Sequence, residues 1–547
     1  MKQFEVAGHL VDIPGRRTFP AVVTVADGRI TNIAPAGAAV PQQYILPGFT
    51  DAHVHVESSM LVPSEFARLA VCHGTVATIS DPHEIANVLG VKGVEYMLDN
   101  AAQVPFKCCF GAPSCVPATG FETAGAAINA GDVEKLLQRN DIYYLSEMMN
   151  YPGVLHEDPE VMAKIAAAKR YNKPVDGHAP ALRGADAAKY IRAGISTDHE
   201  CFTLEEALDK LQHGMHILIR EGSAARNFEA LSPLISSHPR MVMFCSDDKH
   251  PDNLVEGHIN VLVKRALAKG HDLYNILQAA CINPVVHYNM PVGLLREGDP
   301  ADFIIVNNLE EFQVMRTFIN GEAVAENGRS LINSVPIQTI NQFHCDPLTP
   351  ADFRIPCEGK QATVKVIEAL EGQLITNALK ATLTAENGAI DSDTGTDTLK
   401  IAVVNRYHNA PVSMGFIRHF GLKKGAIAST VAHDSHNIIA VGVDDESICE
   451  AVNLLVRNNG GIAVYNGTDS KVLALPVAGL MSAEDGYRTA ASYSELDAAA
   501  KALGSGLDAP FMTLSFMALL VIPHLKLSDK GLFDGDTFAF TSAFAEP

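Results

Sequence analysis

The chain has no CxxC pair, no basic-then-apolar leader, no Walker-type GK[ST] loop and no apolar run of bilayer length. Each absence removes a class of function. Its ten cysteines are scattered over 547 residues, with only Cys108 and Cys109 adjacent. In a chain this long that reads as buried thiols in a reducing compartment, not a disulfide frame. The opening "MKQFEVAGHLVDIPG" lacks a secretory signal pattern, so a soluble cytoplasmic protein is expected. The most apolar late stretch, "FMTLSFMALLVIPHLKL", carries Ser515 and is cut by Pro523. It falls short of the roughly 18–20 residues that cross a membrane. Positive charge is also scarce: 42 Lys and Arg stand against 63 Asp and Glu, for a net charge of −21. That argues against nucleic acid or an anionic membrane as a partner. The glycines of "GGIAVYNG" lack the GxGxxG spacing, so no cradle for a nucleotide phosphate is expected.

What is present is an ordinary globular composition, 47% hydrophobic and 19% charged, with material for two or three domains. The first 46 residues read as short strands, with Asp27-Gly28 as a hairpin signal. Over 47–290, apolar strands alternate with segments of helical period. The strand candidates are "ILPGFTDAHVHVE", "VATISD", "PFKCCFGAPSC", "YYLSEMM", "PVDGHAP", "ISTDHE", "HILIREGS" and "MVMFCSDD". Eight strand–helix units predict a closed parallel barrel, a TIM-like (β/α)8 fold, with its chemistry at the strand ends. Residues 291–345 return to short strands and a Pro-, Asn- and Thr-rich linker. Together with the first segment they predict a small flanking β-sandwich built from both sides of the barrel. Residues 346–547 read as a separate C-terminal α/β domain, with "DESICEAVNLLVRNNGG" as a capped helix.

The strand ends carry a pattern. In "DAHVHVE", His53 and His55 lie two apart and face one side of a strand. An isolated pair of this kind is often one core and one surface histidine. Here Glu147 ends strand four, His178 strand five, His199 strand six and Asp247 strand eight. A barrel brings all six to one mouth, and four imidazoles with two carboxylates suit two divalent ions with a carboxylate bridge. The ligands are nitrogen and oxygen without thiolate, which fits zinc, manganese or iron. Ions about 3.5–4 Å apart share a hydroxide made available at neutral pH. Asp247 then doubles as proton carrier between that nucleophile and the leaving group.

"LPGFTDAHVH", the two later histidines, the terminal aspartate and "GDPADFIIVN" resemble the amidohydrolase superfamily over roughly residues 1–335. Within it, "DAHVHVESSM", "SDPHEIANVLG", "SEMMNYPGV", "IREGSAARN", "FCSDDKHPDNL" and the late "VAHDSHNIIAVG" are similar to the bacterial adenine deaminases over nearly the whole chain. The resemblance implies hydrolysis of adenine to hypoxanthine and ammonia at a binuclear centre. It implies manganese or iron there, with zinc also admissible, and a homodimer. The missing phosphate cradle fits a free base. Hydantoinase-type relatives bridge their metals with a carboxylated lysine on strand four. This chain offers Glu147 there, against a cyclic-amide substrate. Adenosine and cytosine deaminases place a glutamate shortly after the strand-five histidine to protonate the ring, and "HAPAL" supplies none. Glu200 is the available substitute, although as a strand neighbour of His199 it is expected to point away from the metals.

Other residues have more than one reading each. His83 and Glu84 in "SDPHEIANV" either start a helix after Pro82 or touch the purine edge. Arg220, Glu221 and Ser223 end strand seven, either as structural ion pairs or as readers of the substrate's polar edge. Alternation lets only one of Arg220 and Glu221 face inward. Ser114 and Cys115 either line the pocket or pack. His433, Asp434 and His436 in "VAHDSHN" form a polar turn, bind a metal, or reach the barrel mouth.

Overall fold

A computed structural model describes residues 3–37 and 39–545. The first strands are β1 (Gln3–Asp12), β2 (Arg17–Ala26), β3 (Arg29–Pro35) and β4 (Tyr44–Pro47). Asp27 and Gly28 both take the left-handed backbone, at φ 50° and 79°, as a tight hairpin between β2 and β3 requires. Eight further strands follow: β5 (Phe49–Val54), β6 (Thr75–Ser80), β7 (Lys107–Ala112), β8 (Ile142–Met148), β9 (Val175–Gly177), β10 (Thr197–Asp198), β11 (His216–Arg220) and β12 (Val242–Cys245). They coincide with the eight predicted stretches. Then come β13 (Phe303–Val306), β14 (Val314–Ile319), β15 (Glu322–Glu326) and β16 (Arg329–Ser330).

Strands β5 to β9 form one parallel sheet and β10 to β12 another. Single parallel bridges, Val175 to Ile195 and Val54 to Asp247, join the two sheets at both gaps and close the ring. Every residue of β5, β6, β9 and β12 is buried. A parallel sheet covered on both faces demands such near-continuous apolar runs, which is why the strands were legible. The intervening helices are capped locally. Asp158 accepts from the amides of Glu160 and Val161 ahead of Pro159–Arg170, and Thr203 accepts from Glu206 ahead of Leu204–Gln212.

The two flanking segments make one eight-stranded sheet, ordered β16-β15-β14-β13-β4-β1-β2-β3. It curls over its own core. Phe4 of β1 stacks on Phe318 of β14 at 5.6 Å although two strands lie between them in the sheet. The sandwich is therefore a single folded sheet.

The C-terminal part holds a ten-stranded sheet running from Ile355–Pro356 to Ser470–Ala474. Its pairs are antiparallel except Gln361–Ala369 with Ser413–Arg418. The predicted helix, Asp445–Arg457, is capped by Asp444 and packs Ile448, Val452 and Leu455 on that sheet. The hairpin Gln361–Ala369 with Thr376–Glu386 was not read from the sequence, because half of its residues are polar and break up the apolar pattern. From this unit the loop 430–437 and the helix Pro510–Phe516 reach over the barrel mouth.

Candidate active site

His53 lies in β5 and His55 just beyond it. Their Nε2 atoms face each other at 3.1 Å, and two imidazole nitrogens that close cannot both carry a hydrogen. Glu147, near the end of β8, spans the cleft. Its Oε1 lies 3.2 Å from His55 Nε2, and its Oε2 lies 2.7 Å from His178 Nδ1 and 3.3 Å from His199 Nε2. Asp247 Oδ1 stands 3.2 Å from His55 Nε2 and 3.5 Å from His53 Nε2. The six strand-end residues thus converge, and all are buried.

The donor set fits metal ions. The ligand atoms of His53, His55 and Asp247, and those of His53, Glu147 and His199, lie within 4.8 Å of one another. His55, Asp81, His83 and Glu147 form a further such group. Four imidazoles and several carboxylates, aimed at one point and shielded from water, are costly unless a cation or protons compensate them. His53 Nδ1 and His178 Nε2 have no hydrogen-bond partner among the described residues.

Electrostatics divides the groups. Burial pushes the Glu147 carboxyl up, but His178, His199 and His55 hold it well below the ordinary range. Burial is likewise outweighed at Asp247, where Arg220 and then His53 and His55 keep the carboxylate ionised. His53 is lowered by burial and by His199, whereas His55 is raised despite burial by Asp247 and Glu147.

Glu200 faces the pocket, contrary to the strand-alternation expectation. β10 ends at Asp198, so alternation has lapsed before His199 and Glu200 are reached. Glu200 Oε1 lies 3.3 Å from His199 Nε2 and 3.7 Å from His178 Nδ1. Arg220 turns inward to bond both Glu200 oxygens and, at 2.6 Å, Asp247 Oδ2. Its guanidinium is thus shared by two carboxylates, Glu200 and Asp247. Against burial, Arg220 holds Glu200 ionised.

Three predicted substrate contacts lie elsewhere. Glu221 alternates outward to pair with Arg265. Ser223 donates to Asn253 Oδ1 and accepts the amide of His250. Ser114 donates to the carbonyl of Glu147 at 2.5 Å, fixing the strand end below the cleft, and Cys115 is buried beside it.

The remaining predicted residues meet at the mouth. His83 lines the cleft, with Nδ1 3.5 Å from Glu147 Oε1 and Nε2 3.8 Å from Asp434 Oδ1. Glu84 has both oxygens taken: His433 Nδ1 meets one at 2.6 Å and His436 Nε2 bonds the other. Glu84 is thereby a clasp to the C-terminal loop and is not free to read a purine. His433 and Asp434 line the cleft, His436 stands behind them, and His433 stacks on Phe516 at 5.3 Å.

Several residues were not read from the sequence as part of the site. Asp81 accepts the amides of His83 and Glu147, and its Oδ1 lies 3.3 Å from His83 Nδ1. Asp248, next to Asp247 in "SDD", lines the cleft and accepts from Ser58 Oγ. Asp51 accepts the amides of His53 and Ser246 and bonds His258, which fixes β5 against the end of β12. The apolar walls are Met149, Leu374, Phe516 and Leu519. Buried Lys526 donates to the carbonyls of Leu374 and Phe516, and burial brings its ammonium down to about 7. Only the acids had a sequence signal, their adjacency to quoted motifs; apolar wall residues have none.

The amidohydrolase family matches residues 44–324, and the adenine deaminase C-terminal domain matches residues 373–539. The adenine deaminase of Salinibacter ruber is 55% identical over 546 residues, covering 99% of both chains. That of Sulfurovum sp. is 55% identical over 537 residues, and that of Methanosarcina mazei 53% over 552 residues, each covering 98% of this chain and 99% of its own. A barrel with this cluster at its mouth, roofed by a loop from the matched C-terminal domain, agrees with similarity that runs end to end: the chain belongs to the adenine deaminase family of amidohydrolases.

Proposed function

We propose that the protein hydrolyses adenine to hypoxanthine and ammonia, with His53, His55, Glu147, His178, His199 and Asp247 holding two divalent ions. Manganese or iron is the expected pair, with zinc also admissible for a nitrogen and oxygen donor set. Bound there, the ions would lower the pKa of water and so supply a nucleophile at neutral pH. The observation that carries this reading is the convergence of the six side chains, with Glu147 reaching His55, His178 and His199, and Asp247 reaching His53 and His55.

The chain's own groups move the protons. Water brings two, of which one must reach the departing amine and one the ring nitrogen beside C6. Asp247, ionised beside Arg220 and next to His53 and His55, takes the first and delivers it to the amine. Glu200, also ionised, must accept a proton before it can give one, and it carries the second to the ring. Its place beside His199 at the cleft wall supports that role. His83 and the apolar walls hold the base, and the roofing loop excludes bulk water.

Spectrophotometry of metal-loaded protein with adenine tests the function. Conversion to the hypoxanthine spectrum is expected, and none with manganese, iron or zinc would refute it. We also infer a cytoplasmic homodimer. All ten cysteines are unpaired, and among the described residues no helix is long and apolar enough to cross a membrane. Sedimentation at micromolar concentration checks the dimer.

A further inference from the structure

Most charged groups at the cleft already have a partner. Glu147 and Asp247 belong to the histidine cluster, Glu200 to Arg220, Glu84 to His433 and His436, and Asp248 to Ser58. Among the carboxylates that line the cleft, Asp434 is the exception. It is 3% exposed, it lines the cleft, and its Oδ2 has no hydrogen-bond partner among the described residues. Its Oδ1 lies beyond hydrogen-bond length from the nearest imidazoles, 3.8 Å from His83 and 3.9 Å from His433. A buried carboxylate oxygen left unpaired is destabilising, and one that also lines a cleft is placed to take a donor from whatever enters it.

The carboxylate is also held firmly. The loop that bears it is tied to the barrel by the Glu84 clasp and by Asn437 Nδ2 on the Thr123 carbonyl, and to its own sheet by Tyr407 on the Ser435 carbonyl. It stands across the His83 ring from Glu147, on the side of the cleft away from the histidine cluster. A purine whose C6 faces the cluster turns its five-membered ring towards that far side. A free purine carries its one ring N–H there, on N9 or N7.

We propose that Asp434 reads the imidazole edge of the purine, accepting that N–H, and thereby makes the site select a free base over a purine substituted at N9. The proposal rests on the deaminase reading above. A 9-substituted purine brings no hydrogen to this carboxylate and turns the lone pair of N7 towards it. A site built to bond a substrate N–H rejects an analogue lacking it by roughly 10⁴–10⁵-fold.

The test compares kcat/KM for adenine and 9-methyladenine in the metal-loaded wild type, Asp434→Asn and Asp434→Ala, with metal content measured on each. Wild-type turnover of adenine tests the underlying reading by itself. The inference predicts that the adenine to 9-methyladenine ratio falls at least about 100-fold in both variants while metal content stays at the wild-type value. The isosteric Asn variant guards against a misfolded Ala variant, and thermal melting identifies one. An unchanged ratio with weakened adenine turnover overturns the proposal. So does a loss of bound metal in Asp434→Asn, which would make His83, Glu84 and Asp434 a cation site instead.

Discussion

Glu84 at the barrel mouth and His433 in the C-terminal part meet at 2.6 Å, and His436, 352 residues from Glu84, bonds the other carboxylate oxygen. One side chain thus fastens the roof of the pocket to its floor.

That clasp has a pH signature. Burial lowers His433, but Glu84 and then Asp248 outweigh it and raise the imidazole from 6.5 to about 9. Its contribution to stability is complete below pH 6.5 and is lost as pH rises through 9. Glu84 is held well below 4.5, chiefly by His433 and His436 against burial. Its contribution is complete above pH 4.5 and is lost as pH falls below that. The stability gap between wild type and Glu84→Gln, read by urea unfolding, is therefore expected to be widest between the two limits. A gap that is flat from pH 4 to 10 would contradict the clasp.

Asp247→Asn removes the proposed proton carrier while keeping shape. A fall in kcat of about 10²–10⁴-fold is expected, with the metal partly retained. Steady-state rates and metal analysis on the same preparation check both halves.

Arg220→Met leaves Glu200 and Asp247 as buried carboxylates without their common cation. Breaking such an arrangement costs about 3–5 kcal/mol, visible as a lower melting temperature. Glu200, no longer depressed by the guanidinium, titrates higher, so the acid limb of kcat/KM shifts to higher pH. A limb that stays in place would remove Glu200 from the proton path.

Chelation is expected to abolish turnover and to lower the melting temperature. At metal 100 times its dissociation constant, binding adds about 2.7 kcal/mol. Calorimetry of stripped and reloaded protein measures the difference, and equal melting temperatures would mean that the cluster is not a metal site.

The barrel was legible because covered parallel strands need apolar runs, and the polar residues that end them were conspicuous. Facing was legible where a strand persisted, as for His53 and for Arg220 against Glu221. It failed at Glu200 because β10 is only two residues long. Glu84 kept two readings for a different reason. Its partners are remote in sequence, and nothing local distinguishes a carboxylate waiting for a purine from one waiting for two histidines. Ser223 and Ser114 kept two readings because a hydroxyl beside a motif serves the backbone as readily as a ligand.

The ring closes through the site itself. Asp247 donates its amide to the His53 carbonyl at 2.9 Å and accepts the His55 amide at 3.4 Å, while holding the left-handed backbone at φ 54°. The first and last staves of the barrel are hooped by three of the six residues that would grip the metal. A chain whose eighth strand has not yet docked lacks Asp247 at the cluster, so enzymatic turnover during refolding becomes a clock for the moment the cask is sealed.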